Sequence, residues 1–128
     1  MLLHEDITDK IISVFYKVYS TLGYGFLEKV YENALLFEFQ KQEINAIAQF
    51  PIEVFYNGQK AGQYFADIII ESLVIIEVKT AEHIAKEHEF QLINYLKATE
   101  LEVGLLLNFG EKPEFRRKIF TNDRKQIR

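Results

Sequence analysis

Cysteine is absent from this sequence, which removes disulfides and thiolate zinc centres at once. A cytoplasmic location is compatible with that absence and is the expectation. No apolar stretch approaches the roughly 20 residues needed to span a bilayer, so no membrane partner is expected. The opening Met1-Leu2-Leu3-His4-Glu5-Asp6 lacks a basic region followed by a long apolar run, and so does not read as a signal peptide. Histidine is scarce, and His4, His83 and His88 show no metal-ligand spacing. Nor is there net positive charge: the formal balance is −4, which argues against a general nucleic-acid coat protein. The balance is uneven, however. Residues Lys112 to Arg128 carry seven lysines and arginines against Glu114 and Asp123, on an otherwise acidic chain. Such a segment is either a phosphate contact or a solvated end. Repeats, low-complexity segments and linkers are also missing, so the 128 residues are expected to form one globular domain over 1–128.

What the sequence does have is a strongly apolar stretch with charges inside it, Phe65 to Thr80 (FADIIIESLVIIEVKT). Ile68-Ile69-Ile70 and Val74-Ile75-Ile76 read as two buried strands joined by a tight turn. Asp67, Glu77 and Lys79 lie within them, where an ionised side chain without a partner costs several kcal/mol, roughly. Side chains two apart in a strand share a face, so Glu77 and Lys79 point the same way. Asp67 joins them only if the turn has an odd length. A two-residue loop sets Asp67 against Ile76, whereas a three-residue loop (Glu71, Ser72, Leu73) pairs Ile70 with Val74 and Asp67 with Glu77. The starts of the two β-branched runs favour the longer loop.

Around this hairpin the remaining elements follow from periodicity. Ile11, Phe15, Val18 and Leu22 mark a helix over 7–22, capped by Asp6 or Thr8 and ended by Gly23. A second helix is expected from Phe26 to about Gln42, with Glu28 in its first turn, where the helix dipole favours a carboxylate, and Tyr31 in the core. Strands begin near Ala46, and Asn57-Gly58 is a hairpin turn, with Gly62 a candidate bulge on the return strand. A third helix over 84–98 places Gln91 and Tyr95 on one face. A buried strand over 102–109 then crosses over to lie parallel to an earlier one, and 115–120 reads as an edge strand.

The order helix, helix, three strands, helix, strand, with D-x9-E-x-K across the second and third strands, resembles the PD-(D/E)XK nuclease superfamily. The superfamily's first acid matches Asp67, and its E-x-K matches Glu77-Val78-Lys79; Ala66 replaces the proline before the aspartate. Gln91 and Tyr95 have the Q-x3-Y spacing of the branch similar to RecB-type nucleases. Gly25-Phe26-Leu27-Glu28-Lys29-Val30-Tyr31 spells the motif of the GxxExxY protein family, which is similar to a compact branch of the same superfamily. The resemblance covers nearly the whole chain and implies a three-layer αβα, restriction-endonuclease-like core with a mixed central sheet.

It also implies divalent-metal-dependent hydrolysis of nucleic acid, with DNA the expected substrate. Two carboxylates about 4 Å apart repel by roughly 4 kcal/mol at an effective dielectric near 20; Mg²⁺ or Mn²⁺ would remove that repulsion and suits oxygen-only ligands. Asp67 and Glu77 would hold the ion, with the Val78 carbonyl a third ligand and Glu28 approaching directly or through water. Lys79 would orient the attacking water, and Gln91 and Tyr95 would hold the site or a phosphate oxygen. Packing on a helix face explains Gln91 and Tyr95 equally well. A homodimer would help so small a domain span a duplex. The acidic body leaves a second function open, that of a non-catalytic nucleic-acid- or protein-binding module retaining the fold.

Overall fold

Ile11, Val14, Phe15 and Val18 are buried along one side of the first helix, α1 (Glu5–Leu22). The computed structural model describes residues 2–126; Arg128, counted in the basic segment above, lies outside the described residues. The expected cap of α1 is corrected. The helix starts at Glu5 behind a left-handed His4, no side chain caps it, and the Thr8 hydroxyl donates to the Glu5 carbonyl at 3.1 Å. Its end is as read: Gly23, at φ +67°, donates its N–H to the Tyr19 carbonyl at 2.7 Å.

Helix α2 (Glu28–Lys41) starts two residues later than expected, because Tyr31 holds the preceding turn. Its hydroxyl donates to the Gly23 carbonyl at 2.8 Å and accepts the Phe26 N–H at 3.3 Å. Its ring is fully buried and stacks on Phe109 with centroids 4.1 Å apart. Tyr31 is therefore a core residue that fixes where α2 begins, and so where its acids stand.

Five strands follow: β1 (Ala46–Tyr56), β2 (Gln59–Ile70), β3 (Val74–Lys79), β4 (Val103–Phe109) and β5 (Pro113–Ile119), in the spatial order β1-β2-β3-β4-β5. β3 and β4 are parallel, joined across α3 (Lys86–Lys97), and the other neighbours are antiparallel. Asn57 and Gly58 both have positive φ, as the hairpin turn requires. The bulge sits beside Gly62: Val54 pairs with Gly62 and Phe55 with Lys60, which leaves Ala61 extra. The central turn has the three-residue form, with Ile70 opposite Val74. β5 lies at one edge of the sheet, as expected.

α1 and α2 cover one face of the sheet, packing on Ile68, Ile70, Val74, Ile76 and Val78; α3 covers the other with Leu92 and Leu96 against Ile69, Ile75 and Leu106. This is the three-layer arrangement with a mixed sheet. Gly104 makes the second layer fit closely, since a Cβ there would stand 2.6 Å from a Leu92 methyl carbon. Much of the basic C-terminal segment is committed to structure. Lys118 pairs with Glu89, Arg117 donates to the Leu3 carbonyl, and Lys125 donates to the carbonyls of Thr99 and Leu101 at 2.9 and 2.6 Å. Among the described residues no helix is long and apolar enough to cross a membrane.

Candidate functional site

A regular strand keeps alternate residues on one face, and away from their bulge β1 and β2 break that rule at one level. Ala46 packs towards α1 and α2, yet Phe50 and Ile52 pack towards α3. On β2, Ile68 and Ile70 face α1 and α2, whereas Ala66 faces α3. Between them the register Ala48↔Ile68 and Phe50↔Ala66 sets Gln49 opposite Asp67. Gln49 has φ +53°, a left-handed conformation that costs a side-chain-bearing residue about 1–2 kcal/mol. Both strands exchange faces here, so Asp67 is exposed to the fields of groups from both helical layers, Glu32 of α2 and Tyr95 of α3.

At the same level β2 and β3 fork. Their ladder runs from Ile70↔Val74 to Ile68↔Ile76. One step further, where Asp67 meets Glu77, side chains take over from the backbone. Glu77 Oε2 accepts the Asp67 N–H at 2.9 Å, and Asp67 Oδ2 accepts the Val78 N–H at 2.7 Å. The two carboxylates are thus brought together, each bonded to the other's strand. Buried Val78 contributes its N–H to this exchange.

Burial sets the electrostatics of the pair. Glu77 is 4% exposed, and burial, followed by the charge of Asp67, pushes its carboxyl up to about 8 despite the Asp67 N–H and Lys79. Burial also raises Asp67, outweighing the Val78 N–H, Lys79 and Gln49. A third acid belongs to the group: Glu32, also buried, is raised by desolvation and then by Asp67. The Gln49 amide donates to Glu32 Oε1 at 2.9 Å, and Lys29 stands 4.0 Å from the same oxygen.

Lys79 Nζ donates to Gln91 Oε1 at 3.4 Å, which ties the end of β3 to α3. Tyr95, one turn along α3, is pushed up to about 12 by burial and then by Glu77 and Asp67, so it stays a neutral phenol beside the pair. Glu28 is exposed at the first position of α2, and no hydrogen bond or ion pair among the described residues joins it to Asp67, Glu77 or Lys79. It does lie one turn before Glu32 and acts on that acid's charge. His88 is spent on the start of α3, its Nδ1 accepting the Ala85 N–H at 3.1 Å. Asn108, wholly buried beside Lys79 in the β3–β4 register, clamps the chain leaving β3. It accepts the Ala81 N–H at 2.9 Å and donates to the Ala81 carbonyl at 3.0 Å.

The sequence did not single out Glu32, Gln49 or Asn108. A signal existed for Glu32, which stands four residues after Glu28 and so on the same helix face. None existed for Gln49, since a polar residue beside Phe50-Pro51 looks like ordinary strand alternation.

Among the described residues no three acidic or histidine side chains are gathered tightly enough to enclose an ion. The donor set nevertheless fits a hard divalent cation. A buried carboxylate and a partly buried one, Glu77 and Asp67, are held together, buried Glu32 lies within their field, all three are raised, and the set is oxygen-only.

A family model described as the PD-(D/E)XK nuclease superfamily matches residues 5–118. No curated protein matches the sequence. Among solved structures, the crystal structure of SSO0001 is similar in fold, with a TM-score of 0.58 and 21% identity over 73% of this chain. The match spans half of that chain's length.

Proposed function

Because the chain belongs to the PD-(D/E)XK nuclease superfamily, we propose that it hydrolyses phosphodiester bonds in nucleic acid, DNA in the first instance, at the β2–β3 fork. Within the superfamily we place it in the GxxExxY family, on Gly25, Glu28 and Tyr31. The observation that carries this reading is the reciprocal exchange between partly buried Asp67 and buried Glu77, two acids facing each other with Lys79 on the next strand position but one. A fold that needed only stability would have little use for it, since replacing such groups by apolar ones is often neutral or stabilising.

Asp67 and Glu77 would hold Mg²⁺ or Mn²⁺, with the Val78 carbonyl as a further ligand, Glu32 on the α2 side and Glu28 acting through water. When bound, such an ion lowers the pKa of a coordinated water and neutralises phosphate charge. The protein's own residues then have distinct tasks. Lys79 offsets the negative charge that develops on the phosphoryl oxygens, and Gln91 fixes the direction of its ammonium group. Tyr95, held neutral, would donate a hydrogen bond to a phosphate oxygen and does not add another anion. Gln49 keeps Glu32 turned towards the pair.

The second reading, a non-catalytic binding module, is favoured by one observation: Arg117, Lys118 and Lys125 are engaged within the fold and are poorly placed to grip a duplex. Turnover decides between them. Wild-type protein should release labelled fragments from DNA only with Mg²⁺ or Mn²⁺. Asp67→Asn and Glu77→Gln should lose both turnover and thermal stabilisation by Mn²⁺, while Lys79→Ala should keep the stabilisation and lose turnover. Mn²⁺ stabilisation with no cleavage of any nucleic acid would establish the binding module instead.

A further inference from the structure

The face of α3 that carries Gln91 and Tyr95 continues into a cleft of about 420 Å³ between that helix and the β1–β2 hairpin. That size is within the usual range for small-molecule sites. Tyr64 of β2 and Phe90 of α3 line the cleft and remain 51% and 64% exposed, so large areas of aromatic surface lie open beside each other. Tyr64 meets Tyr95 at a tilt of 46°, with centroids 5.6 Å apart, an arrangement that does not stack the two rings flat. Gln91 and Asn94 add two amides, each able to donate and accept. Among the described residues, the only charged one lining the cleft is Glu87. With an acid and no lysine or arginine among those lining residues, the cleft itself offers phosphate no partner. It suits a flat, uncharged group with polar edges.

Gln91 belongs to both places. It lines the cleft and also accepts from Lys79, two residues along β3 from Glu77. The cleft therefore begins one side chain away from the carboxylate fork. We propose that it holds an unpaired nucleobase of the strand being cleaved, stacked on Tyr64 and Phe90 and hydrogen-bonded at its edge by Gln91 or Asn94. The substrate class is then single-stranded or frayed nucleic acid. A base in an intact duplex presents neither its faces nor its pairing edge until it leaves the stack, at a cost of a few kcal/mol, whereas a single strand offers both. Aromatic stacking of this kind tolerates any base, so little sequence preference is expected. The inference rests on the hydrolytic reading above and narrows it.

Binding of a single-stranded oligonucleotide containing 2-aminopurine, followed by its fluorescence with Ca²⁺ present to limit turnover, tests this. The same strand closed into a hairpin duplex and an abasic strand of equal length serve as comparators. Single-stranded DNA should bind at least about tenfold tighter than either. Phe90→Ala and Tyr64→Ala should each weaken it by about 5- to 100-fold, and Phe90→Trp should restore it. Phe90→Ala should leave thermal stability and Mn²⁺ stabilisation unchanged, and Tyr64→Ala, which also gives up the contact with Tyr95, should leave Mn²⁺ stabilisation unchanged; Phe90→Leu provides a second, milder truncation. Equal affinity for the abasic or duplex form, indifference to both truncations, or no saturable binding of the single strand would overturn the inference. The two readings fail separately. Base-dependent binding without metal-dependent turnover removes the hydrolytic site and leaves the cleft; duplex cleavage indifferent to Tyr64 and Phe90 does the reverse.

Discussion

Glu77→Gln in EDTA should make the protein more stable at alkaline pH and nearly unchanged at acid pH. Glu77 titrates near 4.5 when unfolded and near 8 when folded. A carboxyl raised on folding binds more protons in the native state, so its contribution to stability is lost as pH rises through that interval. At 1.36 kcal/mol per tenfold change, the loss between pH 5 and pH 9 is at most about 4 kcal/mol. We expect about 2–4 kcal/mol, because Asp67 shares the proton of the pair. Glutamine keeps an acceptor for the Asp67 N–H, now 2.9 Å from Glu77 Oε2, and carries no charge to desolvate. Urea unfolding of both proteins at pH 5, 7 and 9 provides the measurement, with titrating groups remote from the pair common to both and cancelling in the difference. Wild-type and variant stabilities that fall in parallel over that range would refute the reasoning, since the carboxylate pair would then not be the source of the pH dependence.

Three further outcomes follow from the same geometry. Stabilisation by Mn²⁺ should grow from pH 6 to pH 9, because the ion must displace the proton held by the pair, and thermal melts of wild type and Asp67→Asn should show the trend in the former only. Gln49→Gly should lie within about 1 kcal/mol of wild-type stability, since glycine relieves the left-handed strain, yet bind Mn²⁺ more weakly through loss of the bond to Glu32; Gln49→Ala keeps the strain and should cost about 1–3 kcal/mol. Asn108→Ala should destabilise by about 1–3 kcal/mol in urea, because it leaves the Ala81 N–H and carbonyl without their buried partner.

Much of the architecture was legible because it depends on local signals. β-branched runs, Asn57-Gly58 and the Gly23 stop each act through near neighbours, and the odd central loop was favoured over an even one by where two such runs begin. The carboxylate pairing followed from that loop. Helix starts were less legible. His4 occupies the α1 cap position without a side-chain bond, and Tyr31 delays α2 through contacts with Gly23 and Phe109, which no periodicity encodes. The same applies to the α2 side of the site. Glu28 carries the motif, but the buried acid near the pair is Glu32, and what turns it inward is Gln49, on a strand 17 residues away. The exchange of faces at Gln49 and Asp67 is a tertiary event. Alternation in the sequence continues through it, so only packing reveals it.

The most direct test of the account is where an ion binds. A crystal grown with Mn²⁺ and measured at the manganese edge should show an anomalous peak in the β2–β3 fork, with oxygens of both Asp67 and Glu77 about 2.0–2.3 Å from it. The reciprocal bonds to Asp67 N–H and Val78 N–H should lengthen as the carboxylates turn to the ion. Manganese bound elsewhere, with both bonds kept at 2.9 and 2.7 Å, would contradict the assignment of this fork as the catalytic centre.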